Sequence, residues 1–229
     1  MSDSASKTIN AVVITGGHDF EEKTFPSLFA GYSDIHVERK HQKDDSELFE
    51  DVSDWPYDVM VFYNMGQKIS EKRQANFLSL LDRGVGVVAL HHCIAAYSNW
   101  PEWAWIIGGR YFEKGQSWAG STYAGSQYKH DVSIPVHIED PNHPVTRGLK
   151  DYTVMDEAYK GQWIDPQAHI LLTTDEANCD KSLAWTKTCR RSRVAYIALG
   201  HGPKFDEPHY RQLVSQAIRW TAEIAPRFR

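Results

Sequence analysis

Long apolar runs are missing from this chain. No window of its 229 residues approaches the roughly 18 consecutive apolar positions that a membrane-spanning helix requires, so no membrane partner is expected. Cysteine is scarce too. Cys93, Cys179 and Cys189 form an odd set with no repeated spacing, in a chain large enough to do without a disulfide framework. Reduced thiols and a cytoplasmic location follow as expectations. Neither sign of charge dominates, with 25 Lys and Arg against 30 Asp and Glu for a formal net charge of −5. Basic residues gather only between Lys187 and Arg193, where a solvated hairpin turn is expected, and that speaks against a nucleic-acid partner. Internal repeats and low-complexity segments are absent, which excludes solenoids and arrays. Met1 to Thr8 is small and polar with no apolar segment behind it, so no secretory leader is expected there.

What is present is a large stock of core-forming residues, 41% hydrophobic and 12% aromatic, enough for one sizeable domain over residues 1–229. The most telling stretch is Val85-Gly86-Val87-Val88-Ala89-Leu90, which stops abruptly at His91-His92-Cys93. A strand buried on both faces reads this way. Further strands are predicted at Ile9 to Thr15, Ile35 to Arg39 and Tyr57 to Tyr63. Between the third and fourth runs, Ser70 can cap a helix, Ala75, Leu78 and Leu81 recur at helical spacing, and Gly84 supplies a left-handed stop. Strand, helix and strand with short connections predict a parallel sheet.

The second half differs, because Val132 to Glu139, Ala168 to Thr174, Ser182 to Thr188 and Arg193 to Leu199 follow one another with little helix between. Some of these strands are expected to be antiparallel. Pro208 to Ala222 reads as a closing helix with Leu213, Val214, Ala217 and Ile218 on one stripe. Pro101 to Ile107 is predicted as a short helix, followed by a long loop to Tyr128 of the kind that carries function. The expected architecture is an α/β three-layer sandwich, with a mostly parallel central sheet and an antiparallel extension in the C-terminal half.

Four polar clusters fall after predicted strands or in loops: Gly17-His18-Asp19, His91-His92-Cys93, Asp156-Glu157-Ala158-Tyr159 and Gly200-His201-Gly202. Ligands of open α/β sheets bind beyond the carboxyl ends of the strands, so these clusters are candidates for one shared site. Taken singly, each histidine has a plainer role as a hydrogen-bonded loop residue, and Glu157 has one as a surface ion-pair partner. Period-two geometry predicts that only one of His91 and His92 enters the pocket while the other anchors the turn. His18, His92, Glu157 and His201 have the composition of a divalent metal site, suited to Zn, Mn, Ni or Fe, although no HExxH-like local spacing is present. The same groups can do acid-base work without a metal. No nucleotide cofactor is expected. Cys93 is expected to be a small buried thiol inside the first helical turn, since the tight turn that a nucleophile would need is taken by the histidines. Trp100, Trp118, Tyr159 and Asp156 are candidate substrate contacts, because sugar rings pack their C–H faces on aromatic planes and need placed hydrogen-bonding groups.

The chain resembles the trehalose-utilisation, or ThuA-like, family. The resemblance is carried by Gly17-His18, Val88-Ala89-Leu90-His91-His92, Trp100-Pro101-Glu102-Trp103, Ile107-Gly108-Gly109-Arg110-Tyr111-Phe112, Asn142-His143-Pro144 through Leu149, Asp156-Glu157-Ala158-Tyr159, Leu183-Ala184-Trp185, and Arg193-Val194-Ala195-Tyr196 leading to Leu199-Gly200-His201. It implies a flavodoxin-like, class I glutamine-amidotransferase-like fold and a link to disaccharide metabolism, with keto-sugars as substrate class. Two departures from the family stand out: Cys93 replaces the usual small residue, and Arg190 to Arg193 replace a Gly-rich turn. The functional expectation is an isomerase, lyase or hydrolase acting on a small carbohydrate, with His18, His91 or His92, Glu157 and His201 as the acid-base set. The alternatives are a cysteine hydrolase or amidotransferase built on Cys93, and a non-catalytic sugar-binding or assembly subunit. Homo-oligomer formation is compatible with each.

Overall fold

Runs that are apolar at every position must bury both faces of their strand, and a sheet with a core on each side results. The computed structural model of the chain describes residues 8–43, 46–66, 68–201 and 205–223. Its first half comprises β1 (Ile9–Gly16), β2 (Ile35–His41), β3 (Val59–Asn64), α1 (Glu71–Arg83), β4 (Gly86–Leu90) and α2 (Glu102–Ile107). Short ribbon strands follow, β5 (Gly109–Arg110), β6 (Gln116–Trp118) and β7 (Ser121–Tyr123), then the long hairpin of β8 (Gln127–Ile138) and β9 (Tyr152–Lys160). The chain continues through β10 (Trp163–Ile164), β11 (His169–Thr173), β12 (Ser182–Cys189) and β13 (Ser192–Ile197) to α3 (Pro208–Thr221).

Nine of these strands form the central sheet, in the order β2-β1-β3-β4-β13-β12-β11-β8-β9. The first five are parallel. From β13 onward each neighbour is antiparallel, which makes the expected C-terminal extension. Alternate residues of the parallel strands supply separate cores: Val13, Val61 and Val88 pack with Leu213, Val214 and Ile218 of α3, while Ile14, Phe62 and Val87 pack with Phe77 of α1 and Trp103 of α2. The sandwich is therefore three-layered and flavodoxin-like. Its parallel half has the flavodoxin strand order, whose crevice opens beyond the ends of β1 and β3.

Most element boundaries lie close to the sequence reading; the expected loop to Tyr128 instead holds β5, β6, β7 and the start of β8 at Gln127, and three further differences stand out. The buried stripe of α1 is Phe77, Leu80 and Leu81 rather than Ala75, Leu78 and Leu81, with Gly84 closing the helix at φ 87° as expected. Asp156 to Tyr159 belong to strand β9, not to a loop. The basic turn is seated rather than free. Arg190 and Arg191 connect β12 to β13, Arg190 pairs with Asp82 at 2.5 Å, and the Arg191 N–H donates to the Leu81 carbonyl at 3.3 Å. Cations at the C-terminal end of α1 are favoured by the helix dipole. No helix among the described residues is long and apolar enough to cross a membrane.

Candidate functional site

Parallel strands release their chains at the same edge of the sheet, and the histidines follow from that. His18 lies beyond β1, His91 and His92 directly follow β4, and His201 follows β13 after Ala198-Leu199-Gly200. The bend at Gly200 (φ 112°) admits no side chain, since a Cβ there would stand 2.1 Å from the Tyr210 hydroxyl. Gly202 lies outside the described residues. Glu157 arrives from the opposite end of the sheet order, on the β8–β9 hairpin.

A β-bulge aims that hairpin. Lys129 pairs with Ala158 and Val132 with Asp156, so His130 and Asp131 together face Glu157 alone. Asp131 takes a left-handed φ of 54°. Bulges re-aim side chains beside functional sites, and here His130 Nδ1 reaches Glu157 Oε1 at 3.1 Å. The second carboxylate oxygen stands 2.9 Å from His91 Nε2 and 3.4 Å from His201 Nδ1. Burial pushes the Glu157 carboxyl up, but hydrogen bonds from His201 and His91 outweigh it and hold it well below the usual carboxylate range. The same contact raises His201. The Tyr159 hydroxyl is 2.9 Å from His91 Nε2, and burial, together with the nearby Glu157 charge, keeps it a neutral phenol.

The histidine pair does not obey period two, because His91 turns out of the strand at φ 49° and opens a 3-10 turn over His91–Ala95. His91 is wholly buried, with Nδ1 2.6 Å from the Ala198 carbonyl. A carbonyl only accepts, so Nδ1 carries the proton and Nε2 faces the Glu157 carboxylate. The Tyr159 hydroxyl, 2.9 Å from Nε2, can donate to it, and a cation placed between Nε2 and the carboxylate would satisfy both. His92 is also buried, and neither of its ring nitrogens has a partner among the described residues. Burial lowers its pKa to about 2, leaving a neutral imidazole. Its ring stacks on His18 at 4.6 Å and meets the Tyr63 ring edge-on at 4.4 Å.

These groups surround one cavity of about 360 Å³, lined by His18, His92, His130, Glu157, Tyr111 and Tyr159 among others. The size suits a small molecule. Of the residues expected at the site, His18, His92, Glu157 and Tyr159 line this cavity, while His91 and His201 reach it through Glu157. Ligand atoms of His91, Glu157 and His201 lie within 4.8 Å of one another, a cluster that shares Glu157 and His201 with the expected candidates and contains His91 rather than His18 or His92. Asp156 does not face the ligand space. Its carboxylate accepts from the backbone N–H groups of Glu157, Gly200 and His201 at 2.8, 2.7 and 2.9 Å and so holds the His201 segment against β9. Trp118 is drawn away by its stack with Trp105 at 5.5 Å and by Trp163 at 5.7 Å. Trp100 is buried against Phe77 and lines a neighbouring cleft. Cys93 is wholly buried and its thiol is pushed up by burial, which gives a hydrolase nucleophile no access. Tyr111, quoted only within the family motif, lines the cavity, and His130 and Tyr128 line it without having been singled out, since only the alternation of Tyr128 and His130 ahead of Val132 hinted that the strand begins earlier.

Comparison with known proteins extends the picture. The family model described as trehalose utilisation matches residues 10–221. A ThuA-like protein from Parabacteroides merdae is 20% identical, with a TM-score of 0.79 over 97% of this chain and 93% of that one. A cytoplasmic protein from Salmonella typhimurium is 13% identical, with a TM-score of 0.63 over 94% of this chain and 99% of the other. PurLQS from Thermotoga maritima, 10% identical, aligns with a TM-score of 0.56 over 93% of this chain and 99% of that one. At these identities the structures show a shared fold. No curated protein matches the chain.

Proposed function

Since the chain belongs to the ThuA, or trehalose-utilisation, family, we propose that it is an enzyme of carbohydrate metabolism that moves a proton beside the carbonyl of a keto-sugar, leading to isomerisation or elimination. The observation that carries this reading is the convergence of His18, His92, His130 and Glu157 on one cavity of about 360 Å³. Such chemistry needs a group that takes the proton and another that steadies the oxygen as charge develops on it. His92 lines the cavity as a neutral ring whose two nitrogens are buried and have no partner among the described residues, and turning one of them toward the substrate would let it hold a carbonyl oxygen. His18, stacked on His92 and itself exposed, stands at the cavity wall to take and return the proton. Glu157 supplies a fixed negative charge held by His91, His130 and His201, while Tyr111 and Tyr159 offer aromatic wall.

The donor set also fits a divalent cation. His91 presents Nε2 to Glu157 with Nδ1 already tied to a backbone carbonyl, the outer hydrogen bond that metal-ligating histidines use. His91, Glu157 and His201 would hold it, and it would polarise the substrate carbonyl as a Lewis acid.

The test is deuterium exchange. Keto-trehalose incubated with the protein in D2O should lose the proton NMR signal of the carbon beside its carbonyl, and His92→Ala or Glu157→Gln should slow the loss by about a hundredfold or more. Elemental analysis of protein purified without chelator decides the cation. Saturable binding without exchange or turnover would overturn the enzymatic reading in favour of a sugar-binding subunit.

A further inference from the structure

The cavity at the histidines is continuous with a second cleft of about 210 Å³, because Ile94, Ala95, Tyr111 and Glu113 line both. The second cleft has a different chemistry. Trp100 and Trp103 give it an aromatic wall, and its charged lining residues are Arg110, Lys114 and Glu113. Glu113 and Lys114 are exposed, whereas Arg110 is half-buried. Its guanidinium stands 4.1 Å from the Trp118 ring centre and 5.7 Å from that of Phe112. Among the described residues no carboxylate pairs with it. Burial draws its pKa below the ordinary value, which marks a cation partly stripped of water without a counter-charge to compensate.

Its placement is fixed by the backbone. Arg110 pairs with Trp163 in the β5–β10 ribbon, and the preceding Gly109 sits so close to Trp185 that a Cβ would come within 2.7 Å of it. A guanidinium held on a rigid ribbon, flanked by aromatic faces and open to a cleft, is suited to bidentate recognition of a planar or tetrahedral anion. We propose that this cleft is a subsite for an anionic substituent of the sugar, a carboxylate or a phosphate ester, with Arg110 as its principal contact and Lys114 reinforcing it. The inference rests on the sugar reading of the adjoining cavity. It adds that sugars reaching past the histidines and carrying a negative charge there are held more tightly than neutral ones.

The experiment measures binding of glucose, glucuronate and glucose 6-phosphate to the whole chain by calorimetry, with Arg110→Gln and Arg110→Lys alongside. Glucuronate or glucose 6-phosphate should bind roughly ten- to a hundredfold more tightly than glucose, the range for a charge-assisted hydrogen-bonded pair. Which of the two binds better separates a carboxylate from a phosphate ester. Arg110→Gln should erase the preference and leave glucose binding unchanged, while Arg110→Lys should restore part of it. Should Arg110→Gln fail to fold, as a thermal melt would reveal, a reduced preference in Arg110→Lys carries the test. Equal binding of all three sugars, or a preference that survives both substitutions, overturns the subsite and leaves the sugar reading intact. Failure of every sugar to bind overturns the sugar reading, and the subsite falls with it.

Discussion

Asp156→Ala is the sharpest test of how the site is assembled. The Asp156 carboxylate accepts three backbone N–H groups, from Glu157 at 2.8 Å, Gly200 at 2.7 Å and His201 at 2.9 Å. Hydrogen bonds to a charged group contribute about 1.5–3 kcal/mol each when well desolvated. Asp156 is half-buried, so a discount to about 1 kcal/mol apiece is appropriate, and the summed loss is about 3 kcal/mol. Urea denaturation of the variant should therefore show a lower midpoint with an unchanged slope. The second consequence is local. Without its anchor the Gly200-His201 segment no longer holds the His201 ring 3.4 Å from Glu157, so ligand affinity should fall together with stability. Asp156→Asn is the control, because its amide retains one accepting oxygen but turns an N–H toward backbone donors, and it should fall between wild type and Asp156→Ala. A stability loss under about 1 kcal/mol, with ligand affinity unchanged, would refute the anchoring role.

Two further outcomes are expected. His143 Nδ1 accepts the Val145 N–H at 3.2 Å, and the pKa of its ring is lowered by burial and by the nearby His169 and Arg193 charges, with Asp140 pulling the other way. The neutral ring is thus the folded form: its contribution to stability is complete above the unfolded histidine value of about 6.5 and is lost as pH falls through the lower folded value. Chemical denaturation at stepped pH should show stability decreasing on acidification, and His143→Gln should flatten that slope; an unchanged slope would show that His143 is not its source. Cys93→Ala should leave ligand affinity within a few-fold and cost about 1 kcal/mol of core packing, and iodoacetamide should not label Cys93 in the native protein. A thousandfold loss of activity would reinstate the thiol as a nucleophile.

The parts of the fold that were legible in the sequence are those where burial alone dictates residue type. Val85 to Leu90, Ile9 to Thr15 and Tyr57 to Tyr63 sit between cores on either side of the sheet, so every position is apolar and the run ends where the strand ends. The histidines after those strands were legible for the same reason, since parallel strands deliver their C-terminal ends to one edge. Strand β9 was not. Its pattern mixes Asp156 and Glu157 with Val154 and Ala158, because the carboxylates that hold the His201 segment and face His91 must occupy positions an ordinary strand would give to apolar or solvent-facing residues. The bulge opposite Glu157 shifts the parity of β8 between Lys129 and Val132, and a shift of one residue defeats any period-two reading of which side chains share a face. Trp100 and Trp118 do not line the histidine cavity itself because these aromatic residues first pack on their neighbours: Trp118 is held by Trp105, Trp163 and Arg110, and Trp100, held by Phe77 and Tyr97, walls the adjoining cleft instead. Sequence thus exposes a site where chemistry and burial ask for different residues at the end of a regular element. It hides a neighbour where the partner strand has slipped by one: Glu157 was legible as a candidate, whereas His130, which the bulge brings to it, was not.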